Sequence, residues 1–399
     1  MLRGVRRSIT LVGASTLGVV LVGCGGVAPE PPHTSSTSAA AVSTPSTPAP
    51  TTAERGTIRS RTAFEAAPDT QLSRHRVTRI VYRSTIGYVD RGADVSGIVA
   101  VPDGDPPTGG WPIVALGHGT TGTDRSCGPS DSPDLLGQSG EVEALLRAGF
   151  VVAATDYQGL GHESRLPHPY LEPASAAYNM IDAVRAARLV VPDTSTRWVA
   201  LGASQGGQAA WAAAEFAPSY GQGLDLRGAV ALAPAADLSP ITDGRAQPDY
   251  TYVQRALVPD VVAGLRVLQP DLPVSQYMRG ALATGAPVLT SCTPAARAEK
   301  FSALSAVQPT DSEVPDPAAR LELTRLLSRV ALPQRAARSP ILVVNGSDDL
   351  VVRAPWTDRA VARARALGET IEHRVIPGRG HTNLGATDDA IRWLTDRVG

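Results

Sequence analysis

Short apolar runs alternate with longer amphipathic stretches along most of the chain. The first two runs, Arg76–Tyr88 and Val95–Val101, are separated by a turn at residues 90–92, and this spacing predicts an antiparallel strand pair. The runs that follow predict further strands, and the continuous apolar runs at residues 113–116, 150–155 and 341–345 are typical of strands buried within a sheet. The predicted further strands are Ile113–Leu116, Phe150–Thr155, a run from Trp198, Ala229–Ala233, Ile341–Asn345 and Ile371–Ile376.

Helical patterns lie between these strands. They cover Glu141–Ala148, Ala174–Val191, a stretch after residue 204, Trp356–Leu367 and a closing helix that ends near Arg397. Such alternation predicts an α/β protein with a mostly parallel, doubly wound sheet.

The alternation stops between residues 237 and 338. Helical patterns continue there, with Leu323, Leu326, Leu327 and Val330 on one face, but no buried strand is evident. The pattern predicts an inserted helical cap over residues 237–338, called the helical insertion below. A second independent domain is the alternative; the immediate return of strand and helix afterwards favours the insertion.

The first residues resemble a secretory signal. Arg3, Arg6 and Arg7 precede an apolar segment from Ile9 to Val22, which is followed by Gly23 and Cys24. A small residue directly before a cysteine is similar to the bacterial lipobox, so residues 1–24 are predicted to be a lipoprotein signal peptide with Cys24 lipidated. A transmembrane helix is the alternative, but the run is shorter than the roughly 20 residues that a bilayer requires.

A linker is predicted over residues 25–57, because this stretch is almost entirely Pro, Ser, Thr and Ala. It has too little apolar surface to offset the entropy of ordering, so disorder is expected. Residues 58–399 are then the folded body. The protein is expected on the outer face of a membrane as a lipoprotein, or secreted.

Net charge and cysteine content indicate which partners and which disulfide the protein can have. The formal net charge of the 399 residues is -1, which makes nucleic acid an unfavourable partner. With Cys24 assigned to lipid, Cys127 and Cys292 remain. Two cysteines in an exported protein most often form a disulfide, and two buried free thiols are the alternative.

A catalytic serine is indicated by the G-x-S-x-G pattern. Gly202, Ser204 and Gly206 fit this pattern between a predicted strand and a predicted helix. In this nucleophile elbow the serine lies in a strained turn with its hydroxyl exposed above the sheet. The flanking glycines avoid Cβ atoms that would collide with the adjacent strand or helix. A pattern this short can also arise by chance.

A serine nucleophile needs a histidine base and a carboxylate, and α/β-hydrolases carry them in the chain order serine, acid, histidine. His381 follows the last predicted strand in a glycine-bearing loop, so it is the predicted base. The other histidines fit less well: His33 in the linker, His75 before the core, His162 and His168 in an early loop where they could shape the pocket, and His373 as a surface residue of a strand.

The acid is either Asp348 or Asp349. Asp349 is preferred because Gly346, two further residues, the aspartate and an apolar pair resemble the acid turn of this fold. The other aspartate is expected to act as a cap.

Backbone N–H groups must stabilise the oxyanion of the tetrahedral intermediate. The residue after the nucleophile, Gln205, supplies one. The second is predicted at Thr120, with Thr121 as the alternative, in the loop 118–122 that resembles the His-Gly oxyanion loop of lipases and esterases.

Several motifs together resemble the secretory lipase family. They are the strand ending near His118, Cys127–Ser130, Asp156–Gly161, the elbow followed by Gly207, and a helical insertion before the acid. The resemblance covers most of residues 60–399. It implies an α/β-hydrolase core with a lid, cleavage of carboxylic esters including acylglycerols, no metal, and a disulfide between Cys127 and Cys292. His118-Gly119-Thr120 departs from the acidic oxyanion segment of the fungal members.

The sequence therefore predicts an exported serine ester hydrolase that forms an acyl-enzyme on Ser204, with an ester or acylglycerol as substrate and without a cofactor or metal. A peptidase with the same triad is an alternative, but it would need polar groups that bind the substrate amine, and the helical insertion shows no such cluster. An acyltransferase for envelope lipids would share every motif. Acyl transfer to an added alcohol would distinguish it.

Overall fold

The computed structural model of the chain describes residues 47–242 and 250–399. The predicted signal peptide, Cys24 and residues 25–46 of the predicted linker lie outside the described residues.

Nine strands in the described residues form one sheet, in the order β1-β2-β3-β5-β4-β6-β7-β8-β9. Pairing is antiparallel from β1 through β2 and β3 to β5, and parallel across the remaining strands. The strands are β1 (Ile58–Ala63), β2 (Arg76–Thr85), β3 (Gly92–Val101), β4 (Trp111–Gly117), β5 (Val151–Thr155), β6 (Thr194–Ala203), β7 (Asp225–Leu232), β8 (Ile341–Gly346) and β9 (Ile371–Ile376). The predicted α/β-hydrolase class with a mostly parallel sheet is confirmed.

Helices cover both faces of this sheet. In chain order they are α1 (Ser139–Arg147), α2 (Pro173–Val190), α3 (Gln205–Tyr220), α4 (Tyr252–Leu268), α5 (Gly280–Leu289), α6 (Pro294–Ser305), α7 (Pro317–Val330), α8 (Ala354–Ala366) and α9 (Thr387–Val398). Side chains of α2, α3 and α8 share one apolar cluster with the sheet, while those of α1 and α9 share the other.

The strand β4 shows why the central strands read as continuous apolar runs. Ile113 and Ala115 lie in the α2–α3 cluster, whereas Val114 and Leu116 lie in the α1–α9 cluster. Successive side chains of a strand point to opposite faces, so a strand covered on both sides needs an apolar residue at every position. All four residues are fully buried.

The helical insertion contains α4 to α7, and its described residues include no strand. It has an apolar cluster of its own, in which Leu265, Leu282 and Leu326 are fully buried. A disulfide between Cys127 and Cys292 joins it to the loop after β4, with the two Cα atoms 4.9 Å apart. The N–H groups of Thr123 and Asp124 also donate to the Thr290 carbonyl of the insertion, each at 3.1 Å.

The predicted linker extends too far. Residues 47–57 were expected to be disordered, but Pro48 forms a β-bridge with Arg91 and its carbonyl accepts from the Arg83 guanidinium at 2.7 Å. Gly56 donates its N–H to the Arg83 carbonyl at 2.8 Å. These backbone contacts order the segment without apolar side chains, which is why composition alone predicted disorder. β1 follows directly and was also not predicted.

None of the helices in the described ranges combines the length and apolar character needed to cross a bilayer.

Candidate active site

Ser204 lies in the turn between β6 and α3, with φ 58° and ψ −115°. Such positive φ values are unfavourable for a residue with a side chain and persist only where the surroundings impose them. Here the Ser204 N–H donates to the Leu232 carbonyl at 2.8 Å, and the Ser204 carbonyl accepts from Ala235 at 3.0 Å. The end of β7 therefore holds the strained turn in place.

The two flanking glycines are required by close backbone packing. A Cβ on Gly202 would lie 2.3 Å from the Gly206 carbonyl oxygen, and one on Gly206 would lie 2.0 Å from the Gly117 oxygen. Real Cβ atoms do not approach oxygen so closely, so larger residues would force β6, α3 and β4 apart.

Three side chains from separate loops are linked by hydrogen bonds above this turn. His381 Nε2 lies 2.9 Å from Ser204 Oγ, and His381 Nδ1 lies 2.7 Å from Asp349 Oδ2. The Asp349 carboxylate is buried, and its Oδ1 accepts from the N–H groups of Val351 and Val352 at 2.7 and 2.9 Å. Those backbone bonds orient the carboxylate toward the imidazole.

Asp348 lies elsewhere. Its side chain is exposed and its Oδ1 accepts from the Ser347 hydroxyl at 2.6 Å. The structure thus brings Asp349, and not Asp348, to His381.

Of the two predicted oxyanion residues, Gln205 directly follows the serine and Thr120 lines a cavity that Ser204 also lines. Gln205 is the first residue of α3, where an N–H has no acceptor within the helix. Gly119 and Thr120 line the same cavity as Ser204, and the Thr120 hydroxyl lies 2.7 Å from the Tyr170 hydroxyl. The Thr121 hydroxyl instead donates to the Cys127 carbonyl at 2.9 Å, on the side of the disulfide.

Two sequence motifs that lie far apart in the chain meet beneath this loop. The Asp156 carboxylate accepts from the Ser96 hydroxyl at 2.6 Å and from both the hydroxyl and the N–H of Ser130, at 2.5 and 2.9 Å. Burial nevertheless raises the pKa of this carboxyl group above its ordinary value. Asp156 thus ties the loop after β5 to the segment that carries Cys127.

His168 has a structural contact that the sequence did not indicate. Its Nδ1 lies 2.7 Å from the Gln158 carbonyl and its Nε2 lies 2.9 Å from the Gln205 amide nitrogen. Burial lowers the pKa of His168 to about 4, so the ring is neutral, donates from Nδ1 and accepts at Nε2. It thereby holds the Gln205 side chain.

The remaining histidines differ in their surroundings. His162 is exposed and contacts Asp131 through Nδ1 at 2.5 Å, so it does not shape the site. His373 was expected at the surface, but it is half-buried and its Nε2 lies 2.7 Å from Asn345 Oδ1. Among the residues that the structure describes, no group of three His, Cys, Asp or Glu could hold a metal ion.

The sequence matches a family model described as Secretory lipase over residues 138–399. The chain belongs to the secretory lipase family. It is accordingly a carboxylic ester hydrolase of the lipase and esterase type. No curated protein matches the sequence.

Solved structures of two esterases or lipases share the fold of this family member. A mutant of the rice cell wall degrading esterase LipA from Xanthomonas oryzae superposes with a TM-score of 0.66 and 23% identity, over 86% of this chain and 98% of that chain. Candida antarctica lipase A in its closed state gives a TM-score of 0.66 and 15% identity, over 86% of this chain and 82% of that one.

Two cavities meet at Ser204 of this lipase-family enzyme. One is a narrow cavity of about 50 Å³ that extends into the helical insertion. Its walls are almost entirely apolar and include Leu238, Val258, Val262, Tyr277, Leu323 and Leu327. The other cavity, called the open cleft below, is wider and contains His381 together with Thr120, Glu141, Thr382 and Thr387.

Proposed function

We propose that this enzyme hydrolyses carboxylic esters through an acyl-enzyme on Ser204. The Ser204 oxygen attacks the ester carbonyl carbon while its proton passes to His381 Nε2. The tetrahedral intermediate then expels the alcohol, which takes that proton from His381. A water molecule, deprotonated by the same imidazole, attacks the acyl carbon and releases the carboxylic acid and the free serine.

Asp349 has the orienting role in this proposal. A carboxylate at Nδ1 keeps the proton on that nitrogen, so that Nε2 can accept the serine proton, and it stabilises the imidazolium that results. The observation that carries the proposal is the hydrogen-bonded series Asp349–His381–Ser204, with distances of 2.7 and 2.9 Å, at the mouth of an apolar cavity.

We assign the oxyanion to the N–H groups of Gln205 and Thr120. Each such donor is typically worth about 2.7 to 4 kcal/mol of transition-state stabilisation. The positions of Gln205 at the start of α3 and of Thr120 beside Ser204 support this assignment.

The apolar cavity in the helical insertion is proposed to receive the acyl chain. Its lining offers few polar groups besides the hydroxyls of Ser204 and three tyrosines and the Gln254 amide. Burial of an alkyl chain contributes about 0.8 kcal/mol per methylene, so such a cavity favours acyl groups longer than acetyl. The alcohol half of the ester then occupies the open cleft, from which it can leave.

Export through the first 24 residues and lipidation at Cys24 remain part of the proposal, and the family description as secretory supports export. In a cell that processes lipoproteins, the wild-type protein is expected in the detergent phase of a Triton X-114 partition, and Cys24→Ala in the aqueous phase. Equal partition of both would contradict lipidation.

The principal test is Ser204→Ala, assayed with p-nitrophenyl octanoate and by labelling with a fluorophosphonate probe. Turnover and labelling are both expected to be lost while the circular dichroism spectrum stays that of the wild type. Ser73→Ala, at an exposed position, is the control and is expected to retain full activity. Substantial turnover by a folded Ser204→Ala protein would refute the nucleophile.

A further inference from the structure

The open cleft is more polar than the apolar cavity in the helical insertion, which is called the acyl cavity below. Ser204 lines both cavities. Its polar side chains are Thr120, Glu141, His381, Thr382 and Thr387, beside Ser204 itself. No lysine or arginine is among its described lining residues. The alcohol half of a substrate therefore meets hydroxyl groups and one carboxyl group.

That carboxyl group belongs to Glu141, the third residue of α1. An acid at this position often caps its own helix by accepting from the backbone N–H that precedes it. Here the N–H of Gln138 donates to the Leu135 carbonyl at 3.3 Å instead. No described residue forms a hydrogen bond or ion pair with the Glu141 carboxyl, and Glu141 is one of the residues that line the open cleft.

Glu141 is partly exposed, and its carboxyl oxygens remain accessible to water or to a ligand. Burial raises the pKa of Glu141 to about 7, with no neighbouring cation to oppose the shift. A partly buried carboxyl without a hydrogen-bond partner destabilises the protein unless a ligand or water satisfies it. Nothing in the catalytic series Asp349–His381–Ser204 requires it.

We infer that Glu141 binds a free hydroxyl on the alcohol half of the ester, so that the enzyme prefers esters of polyhydroxylated alcohols to esters of simple alcohols. The inference rests on the proposed function of Ser204 and on the assignment of the alcohol to the open cleft. Hydroxyl groups both donate and accept, so they suit a carboxyl group in either protonation state and the adjacent threonine hydroxyls.

The cleft favours a polyol over a cationic alcohol such as an amino alcohol. Sites for quaternary ammonium groups are built from several Phe, Tyr or Trp faces, and the described lining residues of the open cleft include no Phe, Tyr or Trp. A single carboxyl among threonine hydroxyls offers directional hydrogen bonds instead.

The test compares three octanoate esters that share one acyl group: propyl octanoate, 1-octanoylglycerol and 6-octanoylglucose. Glu141→Leu is expected to lower kcat/KM for at least one of the two polyol esters by about tenfold or more, because a hydrogen bond to a charged group is lost. The value for propyl octanoate should change less than about twofold. The polyol ester that loses more identifies glycerol or sugar as the source of the hydroxyl.

Two further variants separate recognition from structure. Glu141→Gln keeps a donor and an acceptor, so it should recover most of the activity on the affected polyol ester. Glu143→Leu removes a carboxylate of the same helix that pairs with Arg147, outside the lining of the open cleft, and should leave the ratio of rates unchanged.

Equal rates in wild type and Glu141→Leu for all three esters would overturn the inference, as would an equal loss for all three. Neither result bears on Ser204, because activity on propyl octanoate tests the catalytic series by itself. Loss of the proposed function would show instead as turnover that survives Ser204→Ala.

Discussion

The sheet core and the helical insertion bury their apolar side chains in different ways. At the centres of β4 and β6 the side chains are packed on both faces of the sheet, and residues such as Trp198, Val199 and Leu201 have no exposed surface. In the insertion, part of the apolar lining faces a cavity, and Phe301 and Leu321 are 81% and 72% exposed. The core thus holds the reacting groups, while the insertion surrounds the substrate.

This difference has a consequence for how each region responds to substitution. The candidate triad depends on loops that follow β6, β8 and β9, so its geometry is set by the packed sheet. The acyl cavity depends on side chains of α4 and α7, which can change without moving the triad. Substitutions are therefore expected to change the catalytic rate and the preference for acyl-chain length independently of each other.

The largest effect is expected at the acid. Asp349→Asn removes the carboxylate at His381 Nδ1 and should lower kcat for p-nitrophenyl octanoate by on the order of a thousandfold or more. Asp348→Asn is the matched control, because the Asp348 side chain is exposed and accepts a hydrogen bond from Ser347; this substitution should lower kcat by less than about threefold. A larger loss at Asp348 would reverse the assignment.

The next effect concerns the attachment of the insertion to the core. The disulfide between Cys127 and Cys292 closes a loop with a sequence separation of 165 residues, for which the chain-entropy model gives on the order of 5 kcal/mol of stabilisation. Cys127→Ser with Cys292→Ser should therefore unfold at a clearly lower urea concentration than wild type, whereas Cys24→Ser should not. Identical urea midpoints would show that the remaining contacts already hold the insertion.

A smaller effect is expected inside the acyl cavity. Leu323→Trp fills part of the cavity, so one or two methylenes of the octanoyl chain can no longer bind there. The substitution should lower the ratio of kcat/KM for octanoate over acetate esters by about tenfold. Leu321→Trp, exposed on the same helix, is the control and should leave that ratio unchanged. An unchanged ratio in a folded Leu323→Trp enzyme would place the acyl chain elsewhere.

A gradual effect, which develops over several pH units, is expected where the core meets the segment that returns from the insertion. Glu215 of α3 accepts from the N–H groups of Gln334 and Arg335, at 2.8 and 3.2 Å, and burial raises its pKa to about 8. A carboxyl with a raised folded-state pKa stabilises the fold fully below its unfolded-state pKa and loses that contribution as the pH rises toward the folded value.

Between the two pKa values, around pH 6 to 7, Glu215 should therefore lower the free energy of unfolding by up to about 1.4 kcal/mol per pH unit, and the slope should decrease toward pH 8. Glu215→Gln keeps an acceptor for both N–H groups and should remove this slope, measured as urea unfolding at several pH values. If the slope persists in the variant, another buried group is responsible.

The sequence predicted the features that depend on local residue patterns. The apolar runs of β4 to β8 reflect burial on both faces, and the elbow glycines reflect close contacts to Gly117 that the motif already implies. The prediction of His381 as the base came from its position in the chain, after the serine, the acid and the last predicted strand. These elements were predictable because each is required at its own position in the chain.

Other features depend on contacts between distant residues and gave no sequence signal. β1 lies at the sheet edge with five of its six residues exposed, so its polar pattern did not resemble a strand. The sequence pattern favoured Asp349 over Asp348, but the hydrogen bonds from Val351 and Val352 that orient its carboxylate are visible only in the fold. The pairing of His168 with Gln205 spans 37 residues and is visible only in the fold.

The hydrogen bond between His381 and Ser204 joins residues that are 177 positions apart. It forms only after β9 has paired with β8 and the loop beyond β9 has folded back over the elbow. A chain that has completed every earlier strand but not this one still lacks its base. Recovery of ester turnover during refolding should therefore time the docking of the last strand, and chains in which this strand has not docked should not hydrolyse esters.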